Sequence, residues 1–173
     1  MISLLCIAVC APWGAAAGSV LVKDGAPAAV IVLPEHAEPI AVYAAEELQY
    51  HVLKASGVRL ELVAEPLDRP LGKSAVYVGA TMAAREAGID PETLADEEAV
   101  LRTFEGNLYT GVCDGPGDAL SCGNTHSGTL WGVYEVLEQW LGVRWLWPGE
   151  LGESVPNARN IDLPPLDHRI MPR

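Results

Sequence analysis

A chain of 173 residues has the length of one domain. Half of its residues are apolar, 20% are charged and its mean hydropathy is +0.19, a composition that can fill a core and excludes an intrinsically disordered chain. Eleven Lys and Arg against 23 Asp and Glu leave a formal net charge of −12, a field that repels phosphate backbones and anionic lipid, so no nucleic acid or membrane-surface partner is expected.

The first segment is not a fold element. Ile2–Cys10 is an apolar run too short to span a bilayer, Pro12 and Gly14 break it, and Ala15-Ala16-Ala17 supplies a small-residue cleavage pattern before Gly18. Residues 1–17 are read as a signal peptide, although no basic residue follows Met1; a buried N-terminal strand is the competing reading. The expected location is secreted or periplasmic, with no transmembrane segment in the rest of the chain. Export leaves Cys113 and Cys122 around the turn-rich Asp114-Gly115-Pro116-Gly117-Asp118. In an oxidising compartment these two are expected to pair as a disulfide worth about 2–4 kcal/mol.

Ser19–Lys23 alternates into Asp24-Gly25 and precedes the β-branched run Ala28–Leu33, which together predict a hairpin. From Pro39 to Ser56 the apolar residues Ala41, Ala44, Ala45, Leu48 and Val52 recur at helical spacing, and Gly57 stands where a C-terminal cap belongs. Val58–Val63 predicts a half-exposed strand, Ala75–Val78 a short buried one, and Thr81–Ala87 a short helix. Asp90-Pro91 carries the signature of another helical start. Glu98–Thr103 and Asn107–Val112 predict a second hairpin across Glu105-Gly106. Leu130, Val133, Tyr134, Leu137, Trp140 and Leu141 mark the strongest helix, with Ser127 or Thr129 as its cap and Gly142 as its end. Val143–Trp147 then reads as a strand stopped by Pro148-Gly149. The tail from Gly152, with Pro156, Pro164, Pro165 and Pro172, reads as linker. The fold class expected is α+β: one mixed β-sheet with two main amphipathic helices packed on one face.

The residue types that carry chemistry do not assemble into a known centre. Gly72-Lys73-Ser74 lacks the rest of a phosphate loop, and the glycines from Gly111 to Gly123 make no dinucleotide fingerprint. No nucleophile elbow is present. Glu35, Asp114, Asp118 and Glu150 are loop carboxylates, more economically read as solvating groups than as an acid–base pair. Cys113 or Cys122 with His126 could make a thiol–imidazole pair, but the disulfide is preferred. His126 alone is too few ligands for zinc, so neither metal nor other cofactor is expected. His36, His51 and His168 stand isolated and default to surface or core histidines. The indoles are more informative. Trp131, Tyr134, Trp140, Trp145 and Trp147 suit a core, yet Trp147 runs into Pro148-Gly149-Glu150 at a rim position. Indoles beside a carboxylate and a guanidinium suit the stacking of sugar C–H faces, so Arg144, Trp145, Trp147 and Glu150 are candidates for a carbohydrate or interdomain contact.

Two segments carry a resemblance. Ala41–Gly57 followed by an alternating strand, and Gly128–Glu150, resemble the N-terminal domain of alpha-glucuronidases. More distantly they are similar to the second domain of beta-N-acetylhexosaminidases, and they are similar too to exported bacterial proteins with this domain ahead of a large barrel-like region. The likeness covers roughly residues 19–165. It implies a hexosaminidase domain-2-like α+β fold at residues 18–165 that packs on a TIM-barrel glycosidase and holds no catalytic residue of its own. Residues 166–173 would then begin the linker to a C-terminal catalytic barrel, the expected partner, and the chain would be a piece of a longer protein. The loop between Cys113 and Cys122 is longer than the family's usual connection. The function expected is thus a non-catalytic accessory domain of an exported carbohydrate-active protein. Its rivals are a free-standing carbohydrate-binding module, for an oligosaccharide or polysaccharide, and a small enzyme in its own right.

Overall fold

The computed structural model describes residues 17–68, 70–95, 97–112, 114, 115, 117 and 126–171. The signal-peptide reading of 1–17 falls almost wholly outside these residues, and so does the proposed disulfide, since neither Cys113 nor Cys122 is among them. Among the described residues, eleven strands and three α-helices follow in the order β1 (Ser19–Lys23), β2 (Ala26–Pro27), β3 (Ala29–Leu33), α1 (Pro39–Ser56), β4 (Glu61–Ala64), β5 (Ser74–Val78), α2 (Met82–Glu86), β6 (Ala99–Phe104), β7 (Asn107–Val112), α3 (Gly128–Val136), β8 (Arg144–Trp145), β9 (Glu153–Ser154), β10 (Ile161–Leu163) and β11 (Asp167–Ile170).

The main sheet has the order β11-β6-β7-β5-β3-β4 and is mixed: β7, β5, β3 and β4 run parallel, while β6 is antiparallel to both of its neighbours. Alternation sorts its two faces. Ala29, Ile31 and Leu33 of β3, Val76 and Val78 of β5, Leu108 of β7 and Leu101 of β6 point into the main core. Against them lie α1, through Ile40, Ala44, Leu48 and Val52, and α3, through Leu130, Val133 and Val136. Each fully buried large aliphatic side chain in this layer contributes about 1.5–3 kcal/mol by area removed from water. The opposite face carries Val30, Val32, Ala75, Tyr77, Val100 and Tyr109. It is covered by Leu67 and Leu71 at one end and by Ala84 and Ile89 at the other. The architecture is therefore α+β, with both long helices on one face of a mixed sheet.

Local chemistry explains most boundaries. α1 opens with Pro39 at its first position and closes on Gly57, whose φ of 74° and N–H to the Leu53 carbonyl (2.8 Å) make a left-handed cap. The β6–β7 hairpin turns across Glu105 (φ 51°) and Gly106 (φ 80°), the left-handed pair that a two-residue turn requires. Thr81 caps α2 by accepting from Ala84 N–H, and Asp90 caps a 3₁₀ turn at Pro91–Thr93.

Four expectations are corrected. The turn at Asp24-Gly25 exists, but the strand returning from it is only Ala26–Pro27. β3 leaves β1 to pair in parallel with β4 and β5, and β1 takes β10 as its other neighbour. A continuous β-branched run buried on both faces belongs at the centre of a parallel sheet, which is why Ala29–Leu33 is not a hairpin arm. The strand expected over Val143–Trp147 is only Arg144–Trp145, paired with Glu153–Ser154; with the Leu146 N–H still bonded to the Gly152 carbonyl (2.8 Å), the chain turns back through Pro148-Gly149. Ser127 occupies the N-cap position of α3, yet the group that takes the Thr129 N–H is the Asp114 carboxylate (2.9 Å), fifteen residues upstream. The proline-rich tail is not linker: Ile161–Leu163 pairs with β1 and Asp167–Ile170 with β6, each using the residues between prolines.

Candidate functional site

Between α1, α3 and the β8–β9 loop a buried polar cluster supports a surface groove. Tyr43, Glu47 and His51 recur every four residues and so form one stripe of α1. The His51 ring is 2% exposed. Its Nδ1 donates to the Glu47 carbonyl (2.8 Å), while Nε2 lies 3.1 Å from Glu153 Oε1 on β9. Lys54 reaches the other Glu153 oxygen at 3.2 Å. From α3, the Tyr134 hydroxyl donates to Glu47 Oε2 (3.3 Å). Burial, then the neighbouring Glu47 charge and Tyr43, raises the Tyr134 phenol far above its ordinary range, so it stays a neutral donor. Trp145 closes the cluster from outside, edge-on to His51 (5.4 Å) and to Tyr134 (5.2 Å, 65°).

Over this base runs a groove of about 260 Å³ lined by Trp131, Tyr134, Glu135, Glu138, Trp145 and Ile170. Trp131 meets Tyr134 at 6.5 Å with planes 66° apart, so three tilted rings face one space. Trp131 and Trp145 are 43% and 39% exposed.

The four residues proposed from sequence are dispersed around this feature. Trp145 lines the groove. Arg144 turns away, its Nη1 donating to the carbonyls of Glu138 (2.6 Å) and Val143 (2.7 Å) at the end of the helix. Trp147, 56% exposed, stands just before the bend and lies against Gly152, and the exposed Glu150 begins the 3₁₀ turn after it. Trp131, Tyr134, Glu47, His51 and Glu153 were missed as partners. The signal available was the four-residue spacing of Tyr43, Glu47 and His51; the pairing with Glu153 spans a hundred residues and has none.

A second concavity, about 440 Å³, opens at the C-terminal ends of β3 and β5 between Pro34, His36, Glu38, Arg85, Glu92 and Asp114. Its most buried acid is already committed. Asp114 accepts both the N–H and the hydroxyl of Thr129, and desolvation raises its carboxyl above the usual aspartate range. Glu35 is exposed, and Asp118 lies outside the described residues. Among the described residues no group of three His, Cys, Asp or Glu could hold a metal ion, and no helix is long and apolar enough to cross a membrane.

No protein-family model matches the chain, and no curated protein does. Among solved structures the fold is similar to part of a family GH115 4-O-methyl-α-glucuronidase, BtGH115A, specific for decorated arabinogalactans. The identity is 15% and the TM-score 0.54, over 87% of this chain and 18% of that one. A GH138 enzyme targeting pectin rhamnogalacturonan II matches at 14% identity and a TM-score of 0.39, over 64% of this chain and 10% of that one. At this identity the first likeness establishes a shared fold, and this chain spans less than a fifth of the glucuronidase's length.

Proposed function

We propose that this chain is a non-catalytic N-terminal accessory domain of an exported glycoside-hydrolase-type protein, packed against a TIM-barrel catalytic domain. The observation that carries the reading is the asymmetry of the fold match: nearly all of this chain aligns with a small part of a large glycosidase. The geometry agrees, because the buried acids near the candidate cleft are spent on capping and on a histidine rather than converging on open space. The proposed contact is the bend after β8, where Leu146, Trp147 and Leu151 are exposed, with Arg144, Trp145 and Glu150 at its margin and one of them available to the rim of a neighbouring pocket. Secretion and the Cys113–Cys122 disulfide belong to the same proposal.

The test is to sequence the transcript past codon 173 and express the complete frame. The expected result is a barrel-type continuation that carries all aryl-glycosidase activity, with Trp147→Asp loosening its attachment. Turnover by residues 18–173 alone would refute the reading. A free-standing carbohydrate-binding module is favoured by one observation, the exposed Trp147 indole near Glu150. Calorimetry with glucuronic-acid- and hexosamine-containing glycans decides it, binding lost in Trp147→Ala being the result that would replace the first reading.

A further inference from the structure

We infer that the groove between α3 and β8 is a binding site for a small organic cation bearing a methylated ammonium head. This goes beyond the accessory-domain reading and does not rest on it.

Three observations converge. First, the walls are aromatic and mutually tilted. Trp131 and Trp145 each stand about edge-on to Tyr134, at 66° and 65°, so the rings line an open groove with tilted walls rather than one flat platform. A pyranose stacks on an open ring face; a tetrahedral ammonium head fits between tilted rings and is drawn by their quadrupoles. Second, the charged groups at the groove are Glu135 and Glu138, and none of its six lining residues is basic. Neighbouring cations are engaged elsewhere: Arg144 on helix carbonyls, Lys54 on Glu153 and Arg169 on Glu98. A carboxylate-bearing sugar would meet like charge there, in a chain whose net charge is −12. Third, a volume of about 260 Å³ lies below the range usual for drug-sized ligands and suits a head group of a few heavy atoms.

The walls are also held in place before any ligand arrives. The Tyr134 hydroxyl is tied to Glu47, and the Trp145 ring rests on the edge of buried His51, whose own ring is fixed by Glu47 and Glu153. Rings anchored in this way lose little freedom on binding.

The test titrates choline chloride into the purified chain, with sodium chloride at equal ionic strength as control, and follows the indole N–H resonances. The expected result is a saturable shift of the Trp131 and Trp145 signals that the tert-butyl analogue of choline, with carbon in place of nitrogen, does not produce. Trp131→Ala removes a half-exposed wall and leaves the His51 cluster intact, so the variant should melt like the parent while binding weakens about 2- to 30-fold. Glu135→Gln with Glu138→Gln should weaken choline and leave the analogue unchanged. Equal binding of choline and its analogue, no saturable shift with choline, or glucuronate competing for the groove would each overturn the proposal.

Discussion

Two glycines on opposite faces of the sheet should respond to the same substitution with opposite signs. Gly132 sits inside α3 over the sheet, and a Cβ there would meet Ala99 Cβ and Leu101 Cδ2 at 3.5 Å and Thr110 Cβ at 3.8 Å, all ordinary van der Waals distances. Gly132→Ala therefore adds contacts without displacing anything, and it relieves a helix-interior glycine that costs about 1 kcal/mol relative to alanine. A gain of about 1 kcal/mol raises the melting temperature by roughly 2–4 °C in a chain of this size. Gly111, in β7 on the other face, is different. A Cβ there would lie deep inside the contact radius of Ile89 Cγ2 and 3.2 Å from Ile89 Cβ, atoms close to the backbone that cannot swing away. Overpacking of that kind costs about 1–3 kcal/mol. Thermal and urea melts of the two single variants give the signs. Adding Ile89→Ala to Gly111→Ala should cost about 1 kcal/mol less than the two changes summed, because the offending methyl is gone. A destabilised Gly132→Ala, or additive behaviour at Gly111 and Ile89, would refute the packing argument.

At the α3 N-terminus, Asp114→Ala removes the cap and should cost about 0.5–2 kcal/mol in a urea melt, whereas Asp114→Asn keeps an acceptor for Thr129 and should cost less. Because burial raises the folded-state carboxyl, ionising Asp114 opposes folding. The parent should therefore lose stability relative to Asp114→Asn as pH rises through and just above the ordinary aspartate range; a flat difference across that range counts against it. Glu98 has the reverse sign. The Ala95 N–H, and then Arg169, hold its carboxyl below the usual range, so its contribution is present above the ordinary glutamate range and is lost as pH falls through the lowered folded value. Titrating stability in Glu98→Gln should show that loss removed. Arg169→Ala should cost only about 0.2–1 kcal/mol and less in high salt, with faster amide exchange confined to β11. In the core, Leu137→Ala, fully buried between helix and sheet, should cost about 2–5 kcal/mol by calorimetry.

The helices and the β6–β7 hairpin were legible from sequence because their information is local. The Ala41–Val52 stripe, the Gly57 cap and the left-handed Glu105-Gly106 pair each lie within a few residues of what they specify. What escaped is long-range. Nothing near Ala29 says that its partners are Glu61–Ala64 and Ser74–Val78 rather than Ser19–Lys23, and the run reads the same in either arrangement. Prolines marked the tail as irregular, yet stretches of three and four residues between them suffice for pairing once β1 and β6 offer open edges. At the site, Trp145 was singled out together with Trp147, Arg144 and Glu150, whereas its neighbour Tyr134 looked like core because it shares the apolar helix stripe, and Trp131 was grouped with it as an indole suited to a core. The end of that helix widens into a π-turn at Leu137–Leu141, which periodicity alone does not announce.

The strand at Asp167–Ile170 bears on how the protein can be divided. It satisfies the outer backbone groups of β6 and is stitched there by Arg102 to Asp167 and by Arg169 to Glu98. Cutting the polypeptide before Leu166, where the prolines invite a boundary, would strip that cover and leave the Ala99–Thr103 edge of β6 as a bare hydrogen-bonding ribbon, a template for self-association. A shortened version ending at 165 should accordingly be found in oligomers or inclusion bodies, and one ending at 171 should remain dispersed.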